Sequence, residues 1–301
     1  MSIDLRKARV LILGGTGTLG RALTRTLVTE FPSISITILS RDEHKQASMK
    51  REFPQCRYVL GDIRDYDQIA RHFYNKDVVF HVAALKHVDI LENNVNECIK
   101  TNVLGTQNAA DAAINANVKY FVFSSTDKAV DPINTYGYCK ALSEKILFSH
   151  NKSSYNPTRF SVYRWGNVVG SQGSVIPIFA KSIKETKTAN ITDFEMTRFW
   201  LPIDWAVRFM LRTFYEAKLD QAMICPNMKS ASVLNVIMAI GKILGVDQVH
   251  VATVGLRPGE KIHEVMTSQH SPEFMSSDTA DVYTESELIE LLQPIVQQAV
   301  S

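Results

Sequence analysis

Short apolar runs alternate with amphipathic stretches through the first half of the chain. The stretch after the first run carries Leu19, Leu23 and Leu27 at helical spacing, which predicts a helix with one buried face. Strands that alternate with helices predict an α/β fold with a Rossmann-like, doubly wound parallel sheet. The apolar runs predict buried strands at Val10–Leu13, Ser35–Leu39, Tyr58–Leu60, Asp77–Val82, Tyr120–Phe123 and Phe160–Arg164.

The alternation becomes less regular beyond about Gly170. Before that point Glu97–Asn115 predicts one long helix, and after it Ile191–Trp200 predicts an extended segment. We therefore expect a dinucleotide-binding Rossmann domain over residues 1–170. Residues 171–301 are expected to form a smaller, mainly substrate-binding domain, with some segments returning to the Rossmann sheet.

The composition is that of an ordinary globular protein, with 45% hydrophobic and 21% charged residues among 301. A net charge of +2 predicts no strong attraction to nucleic acid or to a membrane. The cysteines form no Cys-x-x-Cys pair, which favours a reducing compartment and argues against a disulfide framework. The chain starts without an apolar leader and has no run as long as a membrane span, so we expect a soluble, cytoplasmic protein.

Glycines recur at every third position directly after the first predicted strand, at Gly14, Gly17 and Gly20. Glycine lets the backbone turn sharply and lets a pyrophosphate approach the N–H groups at the start of a helix. The strand before and the helix after are the context that such a site needs. The pattern predicts a dinucleotide cofactor, and the alternative is a glycine-rich turn without a ligand.

The loop after the second predicted strand carries charges where a dinucleotide-binding fold meets the adenosine ribose. Arg41 and Lys45 favour a 2′-phosphate and hence NADP, whereas Asp42 suits the free hydroxyl of NAD. An ordinary charged loop is the alternative. Asp62, at the end of the third strand, either contacts the adenine or caps the helix that begins near Tyr66.

The segment Ser124–Lys140 concentrates the residue types that acid–base chemistry needs. Tyr136 and Lys140 lie one helical turn apart, so we expect the ammonium to lower the pKa of the phenol. Asp127 and Lys128 follow the fifth strand and add a carboxylate and a second amine. The alternative for these two residues is a solvated ion pair.

Other histidines and arginines are candidates for ligand contacts. His81 and His87 lack the paired spacing of metal ligands, so we expect no metal and a structural or substrate-side role. Arg198 and Arg257 are candidates for diphosphate contacts, because a guanidinium matches phosphate oxygens in a bidentate way. Surface ion pairs are the alternative for both arginines.

Several longer motifs carry a family resemblance. The motifs GGTGTLG, TNVLGT, STDKA and YGYCK resemble the extended short-chain dehydrogenase/reductase superfamily. Within it, the chain from about Val10 to Met266 resembles the inverting UDP-N-acetylglucosamine 4,6-dehydratases, through SRDEHKQ, HVAALKHVDILE, STDKAVDPINTYG, RWGNVVGSQGSVIP, ITDFEMTRFW and RPGEKIHEVM. The similar dTDP-glucose dehydratases carry Asp-Glu in place of Asp127-Lys128, and membrane-attached retaining relatives usually carry Met in place of Tyr136.

The resemblance implies a redox-neutral dehydration of UDP-GlcNAc with a tightly bound, recycled NADP, as a first step toward pseudaminic acid or a related sugar. It also implies a homo-oligomer. It assigns hydride transfer to Tyr136 and Lys140, called the hydride-transfer pair below. It assigns the loss of water to Asp127 and Lys128, called the elimination pair below, with Thr126 as their hydroxyl partner.

The strand ends and the catalytic segment are expected to contact the ligands. Expected cofactor contacts are Gly14, Thr16, Gly17, Thr18, Leu19, Gly20, Ser40, Arg41, Lys45, Asp62, Ile63, Ala83, Ala84, Lys86, Ser125, Tyr136 and Lys140. Expected substrate contacts are Lys86, Asn167, Ser171, Thr192, Met196, Arg198, Arg257 and Glu260.

Two rival functions share much of this pattern. A UDP-sugar 4-epimerase or a reductase would use the same cofactor turn and hydride-transfer pair, but would not need the elimination pair. A non-enzymatic NADP-binding scaffold or redox sensor would keep the fold, and such proteins tend to lose the tyrosine or the lysine.

Overall fold

The computed structural model describes residues 3–153, 155–171, 173–215, 223–268 and 274–301. The chain divides into two compact units, one formed by residues 1–164 with 207–225 and the other by residues 165–206 with 226–301. The first unit contains the glycine turn and the whole catalytic segment. How the two units share the cofactor and the substrate stays a prediction.

Strands and helices alternate through the first unit. The strands of the chain are β1 (Arg9–Leu13), β2 (Ser35–Ser40), β3 (Arg57–Leu60), β4 (Val78–His81), β5 (Tyr120–Ser124), β6 (Arg159–Tyr163), β7 (Asn167–Val169), β8 (Thr188–Ile191), β9 (Thr197–Pro202), β10 (Met223–Ile224), β11 (Ser230–Ser232) and β12 (His250–Thr253). The α-helices are α1 (Thr18–Glu30), α2 (Glu43–Glu52), α3 (Tyr66–Ala70), α4 (Val88–Glu92), α5 (Val95–Cys98), α6 (Gly105–Asn115), α7 (Thr135–Asn151), α8 (Val175–Thr186), α9 (Ile203–Tyr215), α10 (Val233–Ile243) and α11 (Glu285–Val300).

The first unit is built on a seven-stranded sheet in the order β10-β6-β5-β4-β1-β2-β3, with every pair parallel. The strands predicted from apolar runs and the Rossmann-like fold class are therefore confirmed. The interior strand β1 is buried from Val10 onward, as expected where helices cover a parallel sheet: Val10, Leu11 and Ile12 are fully buried. Parallel pairing brings the carboxyl ends of β1, β4 and β5 to one edge, where the glycine turn and the catalytic segment follow.

The long helix predicted over Glu97–Asn115 is wrong in its middle, where a π-helical turn, Ile99–Leu104, separates α5 from α6. The side chain of Asn102 explains the wider turn, because it accepts from the N–H of Leu85 at 2.9 Å and donates to its carbonyl at 2.8 Å. The widened turn thus ties α5 and α6 to the loop that leaves β4. Such π-helical turns are often found at functional sites.

The extended segment predicted over Ile191–Trp200 is also interrupted. Strand β8 ends at Ile191 and β9 begins at Thr197, because Asp193 accepts from the backbone N–H of Glu195 at 2.7 Å and closes a turn between them. The two strands belong to different sheets.

The second unit has its own sheets and its own core. Strands β11, β9 and β7 form one sheet, and β12 pairs with β8 in another. Helices α8, α10 and α11 pack together around a core that includes Ile176, Ile183, Ile237, Leu292 and Val296. In the part of the chain that the structure describes, no helix is long and apolar enough to cross a membrane.

Candidate active site

The glycine turn lies against the loop that leaves β4. Gly14 has a left-handed φ of 78°, and a Cβ on this residue would stand 2.6 Å from the backbone of Ala83. A Cβ on Gly20 would stand 2.5 Å from Gly15 Cα, so α1 packs directly on the turn. Gly17 is the N-cap of α1, which begins at Thr18. This bare backbone at a helix start fits a dinucleotide pyrophosphate.

The charged loop after β2 is organised by hydrogen bonds that sequence reasoning missed. Gln46 donates to Ser40 Oγ at 3.0 Å and to its carbonyl at 3.1 Å, and so holds the end of β2. Asp42 caps α2 by accepting from the Lys45 N–H at 2.9 Å. The side chain of Arg41 is exposed, with Nη1 3.7 Å from Asp62 Oδ2.

The prediction that Asp62 caps the following helix is wrong. The N-cap of α3 is Asp65, which accepts from the Gln68 N–H at 3.0 Å. Asp62 instead accepts from Arg64 Nη2 at 2.6 Å. Burial raises the pKa of Asp62, but these hydrogen bonds and the charge of Arg64 outweigh burial and lower it overall. Its neighbour Ile63 is buried in the core.

The catalytic segment is folded by two side-chain caps. Thr126 accepts from the Lys128 N–H at 3.4 Å and starts a 3₁₀ turn, Asp127–Ala129. Asn134 accepts from the Gly137 N–H at 2.7 Å and starts α7. Any Cβ on Gly137 would overlap the carbonyl oxygen of Lys128. The absent side chain therefore allows α7 to approach the 3₁₀ turn closely.

The elimination pair is largely shielded from solvent, with 20% of the Lys128 side chain exposed. Asp127 is fully buried, and its Oδ1 accepts from Thr126 Oγ1 at 2.9 Å and from Lys128 Nζ at 3.1 Å. Among the described residues, its Oδ2 has no hydrogen-bond partner. Buried carboxylate oxygens are normally paired, so this atom fits a group that acts on a ligand. The predicted alternative of a solvated ion pair does not match this burial.

The hydride-transfer pair lies at the start of α7, but its electrostatics differ from the expectation. Burial raises the pKa of Tyr136 to about 12, while the charge of Lys128 and a hydrogen bond with Thr126 oppose that shift. We expected the ammonium of Lys140 to be the group that lowers the tyrosine pKa. Lys140 Nζ instead donates to the Ser124 carbonyl at 2.5 Å and lies 3.8 Å from the centre of the Phe123 ring.

Lys140 is almost completely buried. Burial lowers the pKa of Lys140 to about 7, and the carboxylate of Glu144 opposes that shift.

His81 also lies in this part of the core, where its Nε2 is 3.0 Å from Thr106 Oγ1. Burial lowers the pKa of His81 to about 3, so the imidazole is neutral near neutral pH. Its packing against aromatic rings of β5 supports the structural role.

The residues predicted to bind the substrate are spread over both units. Lys86 follows Leu85, which the side chain of Asn102 holds in place. Asn167 lies on β7. Ser171 follows that strand, and its backbone N–H donates to the Val168 carbonyl at 3.2 Å. Ala83, Ala84 and Lys86 lie in the loop after β4, whereas Asn167 and Ser171 belong to the second unit.

The environment of Arg198 argues against the predicted diphosphate contact. Its Nη1 donates to the carbonyls of Thr197 and Ile262, at 2.7 and 2.8 Å, and its Nη2 donates to the Lys261 carbonyl at 2.8 Å. The side chain is buried, and Nε lies 3.8 Å from Glu264 Oε1. The guanidinium therefore joins β9 to residues 261–264.

The predicted contacts of Met196 and Arg257 have different outcomes. Met196 is buried in the core of the second unit, and its sulfur accepts from Thr192 Oγ1 at 3.3 Å, so its side chain serves packing. Arg257 is exposed and opens a turn that is closed by the Glu260 N–H bond to its carbonyl, at 3.1 Å. Gly259 has a left-handed φ of 81°, as this Pro-Gly turn requires. Of the two arginines considered for a diphosphate contact, Arg257 is the exposed one, and its contact stays a prediction.

Sequence reasoning missed an ion pair between Glu144 and Arg164 that contacts the catalytic segment through Ser125. Glu144 accepts from Arg164 Nη2 at 2.6 Å and from Ser125 Oγ at 2.6 Å. The available signal was a glutamate one helical turn beyond Lys140 on the same face of α7.

The fold and the glycine turn define a nucleotide-binding protein of the Rossmann class. A family model described as "polysaccharide biosynthesis protein" matches residues 10–285, and the chain belongs to that family. A UDP-N-acetylglucosamine 4,6-dehydratase (inverting) of Campylobacter jejuni subsp. jejuni is 42% identical over 266 residues, or 87% of this chain and 78% of that protein. This match confirms the resemblance predicted from the motifs.

Two further relatives extend the comparison. A protein named UDP-glucose 4-epimerase from Rickettsia felis is 38% identical over 281 residues, which cover 91% of this chain and 81% of that protein. The X-ray structure of Pen from Bacillus thuringiensis is similar with a TM-score of 0.89 and 32% identity, over 99% of this chain and 100% of that one.

The close approach of α7 to the 3₁₀ turn predicts that Gly137→Ala destabilises the protein. The added methyl group overlaps the Lys128 carbonyl and forces the two elements apart, which should cost about 1–3 kcal/mol of unfolding free energy. Chemical denaturation measures the change. Lys145→Ala, at an exposed position of the same helix, is the control and should stay within about 0.5 kcal/mol. Equal stability of the two variants would contradict the close contact.

Proposed function

We propose that this protein is an inverting UDP-N-acetylglucosamine 4,6-dehydratase. It converts UDP-GlcNAc into a UDP-4-keto-6-deoxy sugar with inversion at C5, without net oxidation or reduction. The observation that carries the proposal is the elimination pair: Asp127 is fully buried, its Oδ2 has no hydrogen-bond partner among the described residues, and its Oδ1 accepts from Lys128 Nζ and Thr126 Oγ1. A hydrogen bond with Thr126 links Tyr136 to this pair. The name of the Campylobacter relative supports the same reaction.

The chain's own residues supply the proton transfers. Tyr136 in its deprotonated form takes the proton of the sugar 4-hydroxyl, and loss of hydride from C4 would leave a 4-keto group that makes the C5 proton acidic. Lys128 in its neutral form then removes the C5 proton. Asp127 protonates the 6-hydroxyl as it leaves as water, and C5 is reprotonated on the opposite face. A buried carboxyl with one unpaired oxygen is suited to deliver that proton.

A bound nicotinamide cofactor would accept hydride from C4 and return it to C6. The glycine turn and the loop after β4 would hold its pyrophosphate, with bare backbone at Gly14 and Gly17. We favour NADP because the carboxylate of Asp42 is committed to capping α2, whereas Arg41 is exposed. Because Asp42 is engaged at the helix cap, Arg41 is the side chain that we expect to contact a 2′-phosphate.

Lys128→Ala tests the elimination step. The variant lacks the base for the C5 proton, so we expect formation of the 4-keto-6-deoxy sugar to fall by about 100-fold or more. NMR of the product mixture from UDP-GlcNAc measures this loss, and binding of the cofactor should persist. Lys145→Ala, an exposed lysine of α7, is the control and should keep wild-type turnover. Undiminished dehydration by Lys128→Ala would contradict the assignment.

Arg41→Ala tests the choice of cofactor. Loss of a hydrogen bond to a charged phosphate costs about 1.5–3 kcal/mol, so the dissociation constant for NADP should rise about 10- to 100-fold. The affinity for NAD should stay the same, and calorimetric titration measures both. Arg71→Ala, an exposed arginine beyond α3, is the control. Equal losses for NADP and NAD in Arg41→Ala would contradict a 2′-phosphate contact.

The rival reaction is 4-epimerisation, which the name of the Rickettsia relative favours. An epimerase has no need of an acid and a base for loss of the 6-hydroxyl. The elimination pair would therefore have no function in an epimerase. The product distinguishes the two reactions directly, because epimerisation of UDP-GlcNAc retains the 6-hydroxyl.

We further propose a cytoplasmic homo-oligomer that acts in the biosynthesis of pseudaminic acid or a related polysaccharide sugar. Apolar side chains are exposed together on neighbouring helices of the first unit: Tyr138 and Leu142 on α7 are 59% and 51% exposed, and Ile99 and Leu104 lie on the contacting π-helical turn. Clustered apolar exposure of this kind supports a protein interface.

Leu142→Glu tests the interface. A buried charge at a subunit contact is costly, so light scattering after gel filtration should show a smaller species than for the wild type. Tyr74→Glu is the control, because Tyr74 is equally exposed but lies after α3, away from this patch. A wild-type mass for Leu142→Glu, or a monomeric wild type, would contradict the proposed contact.

A further inference from the structure

A buried ion pair lies directly behind the catalytic segment. Glu144 of α7 is almost fully buried, and its carboxylate accepts from Arg164 Nε at 3.0 Å and Nη2 at 2.6 Å. Arg164 follows β6, and its backbone N–H donates to the Ile224 carbonyl of β10 at 3.1 Å. The backbone of Arg164 is therefore held at the sheet, and its guanidinium holds the Glu144 carboxylate through two hydrogen bonds.

The same carboxylate reaches the strand end that carries the elimination pair. Ser125 Oγ donates to Glu144 Oε1 at 2.6 Å, and the Ser125 N–H donates to the Tyr163 carbonyl at 2.6 Å. Ser125 is thus held through both its backbone and its side chain. The next residue, Thr126, caps the turn that presents Asp127. A shift of Ser125 would be passed directly to the elimination pair.

We propose that Glu144 is a positioning residue which, through Ser125, holds the elimination pair at a fixed place relative to the hydride-transfer pair. The two pairs stand on different elements, one on the turn after β5 and the other on α7. Glu144 lies on the helix of one pair and bonds the strand end of the other. The inference rests on the proposed dehydration, because it assigns the two pairs to successive steps.

The charge of Glu144 has a second effect that can be measured separately. Lys140 lies one helical turn away, and the Glu144 carboxylate raises a lysine pKa that burial has lowered to about 7. Among the described residues, Cys98 of α5 and His81 at the end of β4 also interact electrostatically with Lys140. Removing the carboxylate charge should therefore lower the pKa of Lys140 further and narrow the pH range in which it is protonated.

Two variants separate the hydrogen bond from the charge. Ser125→Ala breaks the link to the strand end and keeps every charge. Glu144→Gln removes the charge and keeps an oxygen that can accept from Ser125. Ser149→Ala is the matched control, because this serine lies at an exposed position of the same helix. Thermal melting of each variant reports whether the fold is intact.

The first measurement follows the cofactor during turnover of UDP-GlcNAc. Ser125→Ala removes no atom of the hydride-transfer pair but displaces the elimination pair, so elimination should slow about 10- to 100-fold more than cofactor reduction. Reduced nicotinamide should then accumulate, visible in its near-ultraviolet absorbance. Ser149→Ala should show no such accumulation. If Ser125→Ala slows cofactor reduction and elimination equally, or slows neither, the positioning role is wrong.

The second measurement needs no turnover. Heteronuclear NMR of isotopically labelled lysine follows the titration of Lys140, assigned with Lys140→Met. We expect a lower pKa for Lys140 in Glu144→Gln and the wild-type pKa in Ser125→Ala and Ser149→Ala. An unchanged pKa in Glu144→Gln would overturn the electrostatic part of the inference. Failure of the wild type to dehydrate UDP-GlcNAc would instead overturn the proposed function, and this titration would still stand.

Discussion

The contact between Gly137 and the Lys128 carbonyl is the constraint on which the arrangement of the catalytic segment depends. It lets α7 start directly against the 3₁₀ turn, so that a helix and a strand end bring their functional groups into one place. Thr126 and Asn134 fix the two ends of the connection by capping. A side chain at residue 137 would separate the phenol of Tyr136 from the groups that surround it.

Burial around this contact is the largest influence on the pKa values of Tyr136 and Lys140. Lys140 is so deeply buried that its charge is disfavoured, and it donates to the Ser124 carbonyl and lies over a phenyl ring. Tyr136 is surrounded by Lys128 and Thr126, and burial still raises its pKa. The elimination pair thus contributes to the environment of the tyrosine, and the two halves of the proposed reaction share one electrostatic site.

Local patterns in the sequence predicted the strands, the glycine turn and the catalytic segment, because each depends on neighbours in the chain. Features that depend on distant residues escaped prediction. The π-helical turn arises because Asn102 bonds the backbone of Leu85, and the Glu144 ion pair needs Arg164, which follows β6. Arg198 has the residue type of a phosphate ligand, yet distant carbonyls from residues 261 and 262 occupy its guanidinium. The substrate contacts in the second unit stay predictions.

Incubation of the wild-type protein with UDP-GlcNAc in heavy water, followed by NMR of the product, tests the proposed dehydration most directly. Removal of the C5 proton and reprotonation from solvent should place deuterium at C5 of a 4-keto-6-deoxy sugar with inverted configuration at that carbon. The cofactor should be unchanged at the end of the reaction. A 4-epimer that keeps its 6-hydroxyl and carries no deuterium at C5 would contradict the assignment of Asp127 and Lys128 to elimination.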